Sequence, residues 1–222
     1  MPGSRGGVGG HIIDDVLRIG IGGPVGSGKT ALVEALVPRL LSSRRTPAVI
    51  TNDFYTQEDA EHVRRELVGI LAADRVIGVE TGSSPHTAVR DDPTMNFAAG
   101  VEMLELHPQV DTLLYESGGD SLALTFSPAL VDVFVFVVDT SDGDKIPRKR
   151  GPGITDSDVL VINKIDIATY VRTNLDVMES DARRVRDGKP VILTNSLTGD
   201  GVDILLDQVL AFWDVRPPQL SR

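Results

Sequence analysis

Short apolar, β-branched runs alternate with longer stretches of helical spacing along most of this chain. The apolar runs fall at 16–22, 47–52, 75–79, 112–116, 133–139, 159–163 and 191–194, and several, such as VFVFVV and VLVI, are apolar at every position. A strand that is apolar on both sides is covered on both sides, which is how a parallel sheet reads when helices pack above and below it. Between these runs, 29–42, 57–71, 94–106, 173–186 and 202–213 repeat apolar residues at three- and four-residue intervals. The alternation predicts an α/β fold with a mostly parallel central sheet flanked by helices on both faces. Two features disturb it. Pro38 falls inside ALVEALVPRLL, where it lacks a backbone donor and crowds the preceding turn, so a kink is expected. The segment DGDKIPRKRGPGI at 142–154 has no period and reads as a long surface loop, basic within an acidic chain. Such a loop is either a solvated strand end or a surface for the nucleotide or a partner, and its charge favours the partner.

With 222 residues and 41% hydrophobic content the chain can bury a sizeable core, expected as one domain over 13–222. Five glycines among the first ten residues make 1–12 a flexible tail. A net charge of −10 repels a phosphate backbone, so no nucleic-acid partner is expected. The absence of cysteine excludes disulfides, and neither a signal-peptide core nor a membrane-length apolar run is present, which together point to the cytoplasm and away from a membrane.

Candidate chemistry begins at GGPVGSGKT. Gly23, Gly28, Lys29 and Thr30 fit the spacing G-x-x-x-x-G-K-[ST] and lie between a predicted strand and a predicted helix, the context a phosphate-binding loop requires. The loop Gly23-Pro24-Val25-Gly26-Ser27-Gly28 can turn its N–H groups inward around phosphates. Lys29 would reach the β/γ oxygens and the Thr30 hydroxyl would meet Mg²⁺. This marks a P-loop NTPase without saying which nucleotide it takes.

The base is indicated by Asn163-Lys164-Ile165-Asp166, which follows the apolar run VLVIN. Guanine offers a ring N–H and an exocyclic amine side by side, a donor pair that one carboxylate can accept and that adenine lacks. Asp166 would accept both, Asn163 would brace the pocket, and the stem of Lys164 would lie over the ring. Four residues alone are a weak signal; together with the upstream loop they favour GTP.

Phosphoryl transfer also needs metal-holding acids at strand ends near the phosphates. Asp53 in TNDFYT, Glu80 in VETG and Glu116 in YESGG qualify, and the loop ETGSSPH adds His86 close behind Glu80. Any one of these acids could equally be a cap or a solvated turn residue. His11, His62 and His107 stand alone and read as surface residues.

The blocks GGPVGSGKTAL, TNDFYTQEDA, VETGSSPHTAVRDDPTMN, ESGGDSLALTFSPAL, KIPRKRGPGI and NKID, in this order, closely resemble the urease accessory GTPase family UreG over nearly the whole chain after the tail. The resemblance implies a fold of the signal-recognition/MinD/BioD GTPase class and a cytoplasmic protein whose GTP binding and hydrolysis drive nickel delivery to urease. It also implies a homodimer formed around GTP and nickel, working with other urease accessory proteins and with urease itself. Carried over by position, Gly28, Lys29 and Thr30 contact phosphates and magnesium, with Lys29 and Asp53 as the catalytic groups. Asp53 and Glu80 support magnesium, and Asn163 and Asp166 read guanine. Members of the family bind nickel through Cys-Pro-His, whereas this chain reads Ser84-Pro85-His86. A neutral serine hydroxyl is a poor nickel ligand beside a thiolate, which leaves His86 as the nickel-binding candidate.

Two functions follow. One is a nickel-carrying GTPase with slow intrinsic hydrolysis, since no glutamine or arginine finger stands beside the phosphate loop. The other is a GTP-dependent assembly module that docks partners without carrying metal. A small-molecule kinase is remote because it leaves NKID unexplained.

Overall fold

The computed structural model describes residues 15–53, 58–82, 86–119 and 121–215. Seven strands, β1 (Leu17–Gly22), β2 (Pro47–Asp53), β3 (Val76–Glu80), β4 (Thr112–Glu116), β5 (Val133–Asp139), β6 (Val159–Asn163) and β7 (Val191–Leu193), form one sheet in the order β3-β2-β4-β1-β5-β6-β7. Every pairing in it is parallel. Among the described residues six helices flank it: α1 (Lys29–Ser42), α2 (Glu58–Glu66), α3 (Thr94–Leu106), α4 (Pro152–Asp156), α5 (Leu175–Val185) and α6 (Val202–Asp214).

The every-position apolar pattern has a direct cause, because each face of the sheet carries its own core. On one face Leu17, Ile19 and Ile21 of β1 pack with Leu32 and Leu36 of α1, Val63 of α2 and Leu205 of α6. On the other, Met103 of α3 and Met178 of α5 pack with Phe126, Phe134 and Phe136. The two glycines of β1 face this second layer. A Cβ at Gly20 would come 2.9 Å from the Phe126 ring, and one at Gly22 would come 2.5 Å from Leu124, so the chain between β4 and β5 lies flat on β1. The same segment is pinned where it returns to the sheet. Arg18 donates from Nε and Nη2 to the Asp132 carboxylate, at 3.0 and 2.6 Å, with both side chains buried.

β1 sits between β4 and β5, so the chain leaves it toward one half of the sheet and returns later to build the other. That reversal opens a crevice at the strand C-terminal ends, where α/β proteins of this kind bind ligands. The loop joining β1 to α1 occupies it.

Departures from the expected elements are local. Helix α2 stops at Glu66 because Gly69 takes a left-handed backbone (φ 79°), turning Ile70 and Leu71 away from the helical path. Helix α5 begins at Leu175 because Asn174 caps it, its side chain accepting from Val177 N at 3.1 Å. Helix α1 continues through Pro38 to Ser42, whose hydroxyl donates to the Pro38 carbonyl at 2.9 Å. The basic segment is more ordered than a surface loop. It holds a 3-10 turn (Ile146–Lys149) with Ile146 and Pro147 buried, followed by α4. Arg148 is drawn into an ion pair with the buried Asp181 of α5, which also pairs with Arg184. The predicted tail, residues 1–12, lies outside the described residues, as do Ser84 and Pro85.

Candidate nucleotide site

The loop after β1 turns tightly into α1. Ser27 N bonds back to the Pro24 carbonyl at 3.2 Å, and Gly28 caps α1 from a left-handed backbone (φ 92°) that a side chain would strain. A Cβ at Gly28 would also come 2.3 Å from Nδ2 of Asn163, so glycine is required there for space as well. Val25 stands at the crest, 80% exposed. Lys29 is buried at the base of the loop, its ammonium donating to the Pro24 carbonyl at 3.0 Å. That contact holds the ammonium against the loop, from which it could pass to the oxygens of a bound phosphate.

Thr30 does not stand alone. Its hydroxyl donates to Oε1 of Glu116 at 2.6 Å, across the β1–β4 pairing. Glu116 is buried, and its second oxygen has no hydrogen-bond partner among the described residues. Burial pushes this carboxyl up to about 7, against the Thr30 hydrogen bond and the Lys29 charge that pull it down. A buried carboxylate oxygen without a partner, beside a threonine hydroxyl, suits a hard cation: ionisation would supply the charge, and the free lone pairs would supply a ligand. Thr30 and Glu116 therefore fit magnesium.

The other two acids lie farther along the sheet. Asp53 ends β2, two strands from β1, and Glu80 ends the edge strand β3, exposed and in register beside Asp53. At roughly 4.8 Å per strand, Glu80 is about 14 Å from the β1 line and Asp53 about 10 Å. Asp59, in the first turn of α2, was not singled out by the sequence. Its half-buried carboxyl is raised by burial and by Asp53, and lowered by Lys29, so it shares the field of this cluster. Among the described residues no group of three or more His, Asp or Glu side chains gathers closely enough to hold a metal by itself.

The base-side motif is tied to the phosphate loop. Asn163 Nδ2 donates to the Ser27 carbonyl at 3.0 Å, while its oxygen accepts from Thr194 Oγ1, Ser196 N and Ser196 Oγ at 3.0, 3.1 and 3.0 Å. Lys164, in a left-handed backbone (φ 58°), donates to the Gly26 carbonyl at 2.5 Å and to Asp139 at 3.0 Å. Asp166 remains exposed. Gly28, Ala31, Asn163, Lys164, Asp166 and the turn Asn195-Ser196-Leu197 enclose a half-open cavity of about 180 Å³, with Leu197 87% exposed at its rim. This turn and Asp139 carry no motif of their own in the sequence; the apolar Leu197 in a polar turn is the one hint there. A larger cavity of about 830 Å³ lies at the N-terminal ends of β5 and β6, lined by Phe126, Phe134, Asp158 and Trp213. It is on the side away from the phosphate loop.

His86 opens a five-residue π-helical turn, Thr87–Asp91, where the sequence suggested only a loop. Such turns are uncommon and collect at functional sites. Of the other histidines, His62 pairs with Glu34 at 3.2 Å, and the largely buried His107 pairs with Asp74 at 3.5 Å rather than standing free on the surface. His11 lies outside the described residues.

A family model described as "CobW/HypB/UreG, nucleotide-binding domain" matches residues 17–193, from the start of β1 to the end of β7. A Streptomyces griseus protein named urease accessory protein UreG 2 is 73% identical over 190 residues, covering 86% of this chain and 84% of its own length. The chain belongs to the UreG family of urease accessory proteins. Another UreG relative, from Yersinia pestis, is 56% identical over 205 residues, covering 91% of this chain and 93% of its own. Among solved structures, HypB from Helicobacter pylori in complex with nickel superposes with a TM-score of 0.72 at 18% identity, covering 94% of this chain and 93% of its own. At that identity the likeness concerns the fold, a P-loop NTPase sheet with helices on both faces. No helix among the described residues is long and apolar enough to cross a membrane.

Proposed function

We propose that this UreG-family chain is a guanine-nucleotide-dependent nickel-delivery protein for urease, built as one P-loop GTPase domain over 13–222. The observation that carries the reading is the hydrogen-bonded joint between the phosphate loop and the NKID turn: Asn163 bonds the Ser27 carbonyl, Lys164 bonds the Gly26 carbonyl, and both line the cavity that Asp166 faces. A base held there is held in fixed register with phosphates in the loop. Asp166 accepts from the ring N–H and amine of guanine, and the stem of Lys164 covers the ring.

On the phosphate side, Lys29 exchanges its Pro24 carbonyl for phosphate oxygens. Thr30 and Glu116 would hold magnesium directly, while Asp53, on the strand beside Glu116, and Glu80, at the sheet edge, would support it from farther out through bound water. When bound, magnesium would neutralise charge on the β- and γ-phosphates. Glu116 would serve as a ligand in its ionised form, so cation binding there would be coupled to loss of its proton. The phosphate loop itself, residues 23–30, carries no glutamine or arginine, in keeping with slow intrinsic hydrolysis that partners accelerate.

Nickel is cargo in this scheme. His86 supplies one imidazole per chain, and a homodimer assembled on GTP would bring two together, at lower affinity than a thiolate-containing set because Ser84 stands where the family carries cysteine. The partners are other urease accessory proteins and urease, in the cytoplasm. Lys149 and Arg150 remain exposed in the basic segment and are its candidate contacts.

The direct test is base selectivity. Asp166→Asn replaces an acceptor of two donors with an amide that can meet a carbonyl, so affinity should move from guanine toward xanthine nucleotides by roughly tenfold or more. Unchanged preference for GTP over ATP and XTP would remove the pocket assignment.

A further inference from the structure

Asn52 and Asn96 are both fully buried, on the end of β2 and in the first turn of α3. They face each other with reciprocal hydrogen bonds: Asn52 Nδ2 donates to Asn96 Oδ1 at 3.0 Å, and Asn96 Nδ2 donates to Asn52 Oδ1 at 2.8 Å. Each amide spends its second N–H on a main-chain carbonyl. Asn52 donates to Glu116 O at 2.9 Å, and Asn96 donates to Ala88 O at 2.8 Å. All four side-chain N–H bonds are therefore used, and the two outer carbonyls fix which way each amide points. Turning one amide over would set N–H against N–H, or oxygen against oxygen, in the inner pair. The two side chains can only move together.

What lies at the two ends gives the pair its meaning. Glu116 is the residue whose side chain holds the Thr30 hydroxyl. Ala88 lies two residues beyond His86, inside the π-helical turn, and the next residue, Val89, accepts from Ser127 N at 2.9 Å. An unbroken run of short contacts thus joins Thr30 to the His86 turn: Thr30 to the Glu116 carboxyl, the Glu116 carbonyl to Asn52, Asn52 to Asn96, and Asn96 to Ala88. A buried polar pair within an apolar layer is costly unless every member is satisfied, and a shift at one end leaves a member unsatisfied at the other.

We propose that the Asn52–Asn96 pair transmits occupancy of the Thr30–Glu116 phosphate site to the turn that presents His86, as a pair of positioning residues that touch neither ligand. The inference rests on the nucleotide reading above and adds the route by which that site reaches the metal-presenting segment. By linkage the effect runs both ways, so anything that fixes the His86 turn also favours the nucleotide-bound arrangement.

Hydrogen exchange on the full chain, with and without Mg²⁺ and a non-hydrolysable GTP analogue, tests this with the protein dilute enough to stay monomeric. In the wild type, amides of the phosphate loop at 23–31 and of the turn at 86–92 should both slow on nucleotide addition, by roughly fivefold or more. In Asn96→Ala the loop should keep its response while the turn changes by less than about twofold. Asn52→Ser, which keeps a short polar side chain at the end of β2, is the second variant and should behave alike. A merely structural pair would alter baseline exchange and melting without uncoupling one response from the other. The relay is overturned if 86–92 responds as fully in either folded variant as in the wild type, or if it fails to respond in the wild type while 23–31 does. No protection at 23–31 in the wild type would defeat the nucleotide reading itself, and the relay with it.

Discussion

Replacing Asn163 with alanine should damage both stability and nucleotide binding, through bonds that can be counted. Asn163 is 2% exposed and makes four hydrogen bonds, one donated to the Ser27 carbonyl of the phosphate loop and three accepted from Thr194 and Ser196 beyond β7. At about 1 kcal/mol net per bond the upper limit is about 4 kcal/mol. The neighbouring cavity is half-open, so water can recover part of this, and a loss of about 2 to 3 kcal/mol is expected. Both walls of the base pocket hang on this side chain, so GDP affinity should fall by roughly a hundredfold, or about 3 kcal/mol. Urea unfolding followed through the single tryptophan, Trp213, reads the first quantity, and displacement of a fluorescent GDP analogue reads the second. Asp166→Asn is the internal control: exposed, it should leave unfolding within about 0.5 kcal/mol while changing base preference. If Asn163→Ala unfolds within about 0.5 kcal/mol of wild type and binds GDP within threefold, the joint between the two motifs is not what holds the pocket.

Glu116 gives a pH signature in the nucleotide-free protein. Its carboxyl rises from 4.5 to about 7 on folding, so between these values the unfolded chain ionises while the folded one keeps its proton, and stability falls as pH rises. Relative to Glu116→Gln, the wild type should lose about 3 kcal/mol between about pH 4.5 and pH 8, as read by melts across that range; parallel pH profiles would refute the assignment. Gly28→Ala forces a side chain onto Asn163 Nδ2 and into a left-handed backbone, and should abolish detectable GDP binding in the same displacement assay. Arg186 is buried with its guanidinium on the carbonyls of Ile154, Ser157 and Asp158, and burial lowers it to about 10. Arg186→Ala should cost about 3 kcal/mol in urea unfolding and increase proteolysis at 146–158 first.

The strands, the phosphate loop and NKID were legible because each is written in contiguous residues: apolar runs of strand length, glycines at fixed offsets, an acid after an Asn-Lys pair. What stayed hidden depends on contacts between distant segments. Thr30 and Glu116 are 86 positions apart and meet only because β4 pairs with β1. Residue type alone left Asp53, Glu80 and Glu116 on equal terms and the family resemblance favoured Asp53 and Glu80, whereas strand order puts Glu116 on Thr30 and Glu80 at the sheet edge. Asn52 and Asn96 read as ordinary polar residues until folding buries both. Arg148 looked like part of an exposed basic run, yet Asp181, 33 positions away, holds it. The π-helical turn after His86 has no sequence periodicity to announce it.

Nickel-linked assembly is the most direct test of the proposed function. The purified chain is titrated with nickel in the presence of Mg²⁺ and a non-hydrolysable GTP analogue, and its mass is followed by light scattering, alongside Ser84→Cys and His86→Ala. The expected result is dimer formation that needs both the nucleotide and nickel, tightened in Ser84→Cys and lost in His86→Ala. A wild-type chain that neither binds nickel nor changes mass in response to it, while Ser84→Cys does both, would contradict nickel delivery by this protein.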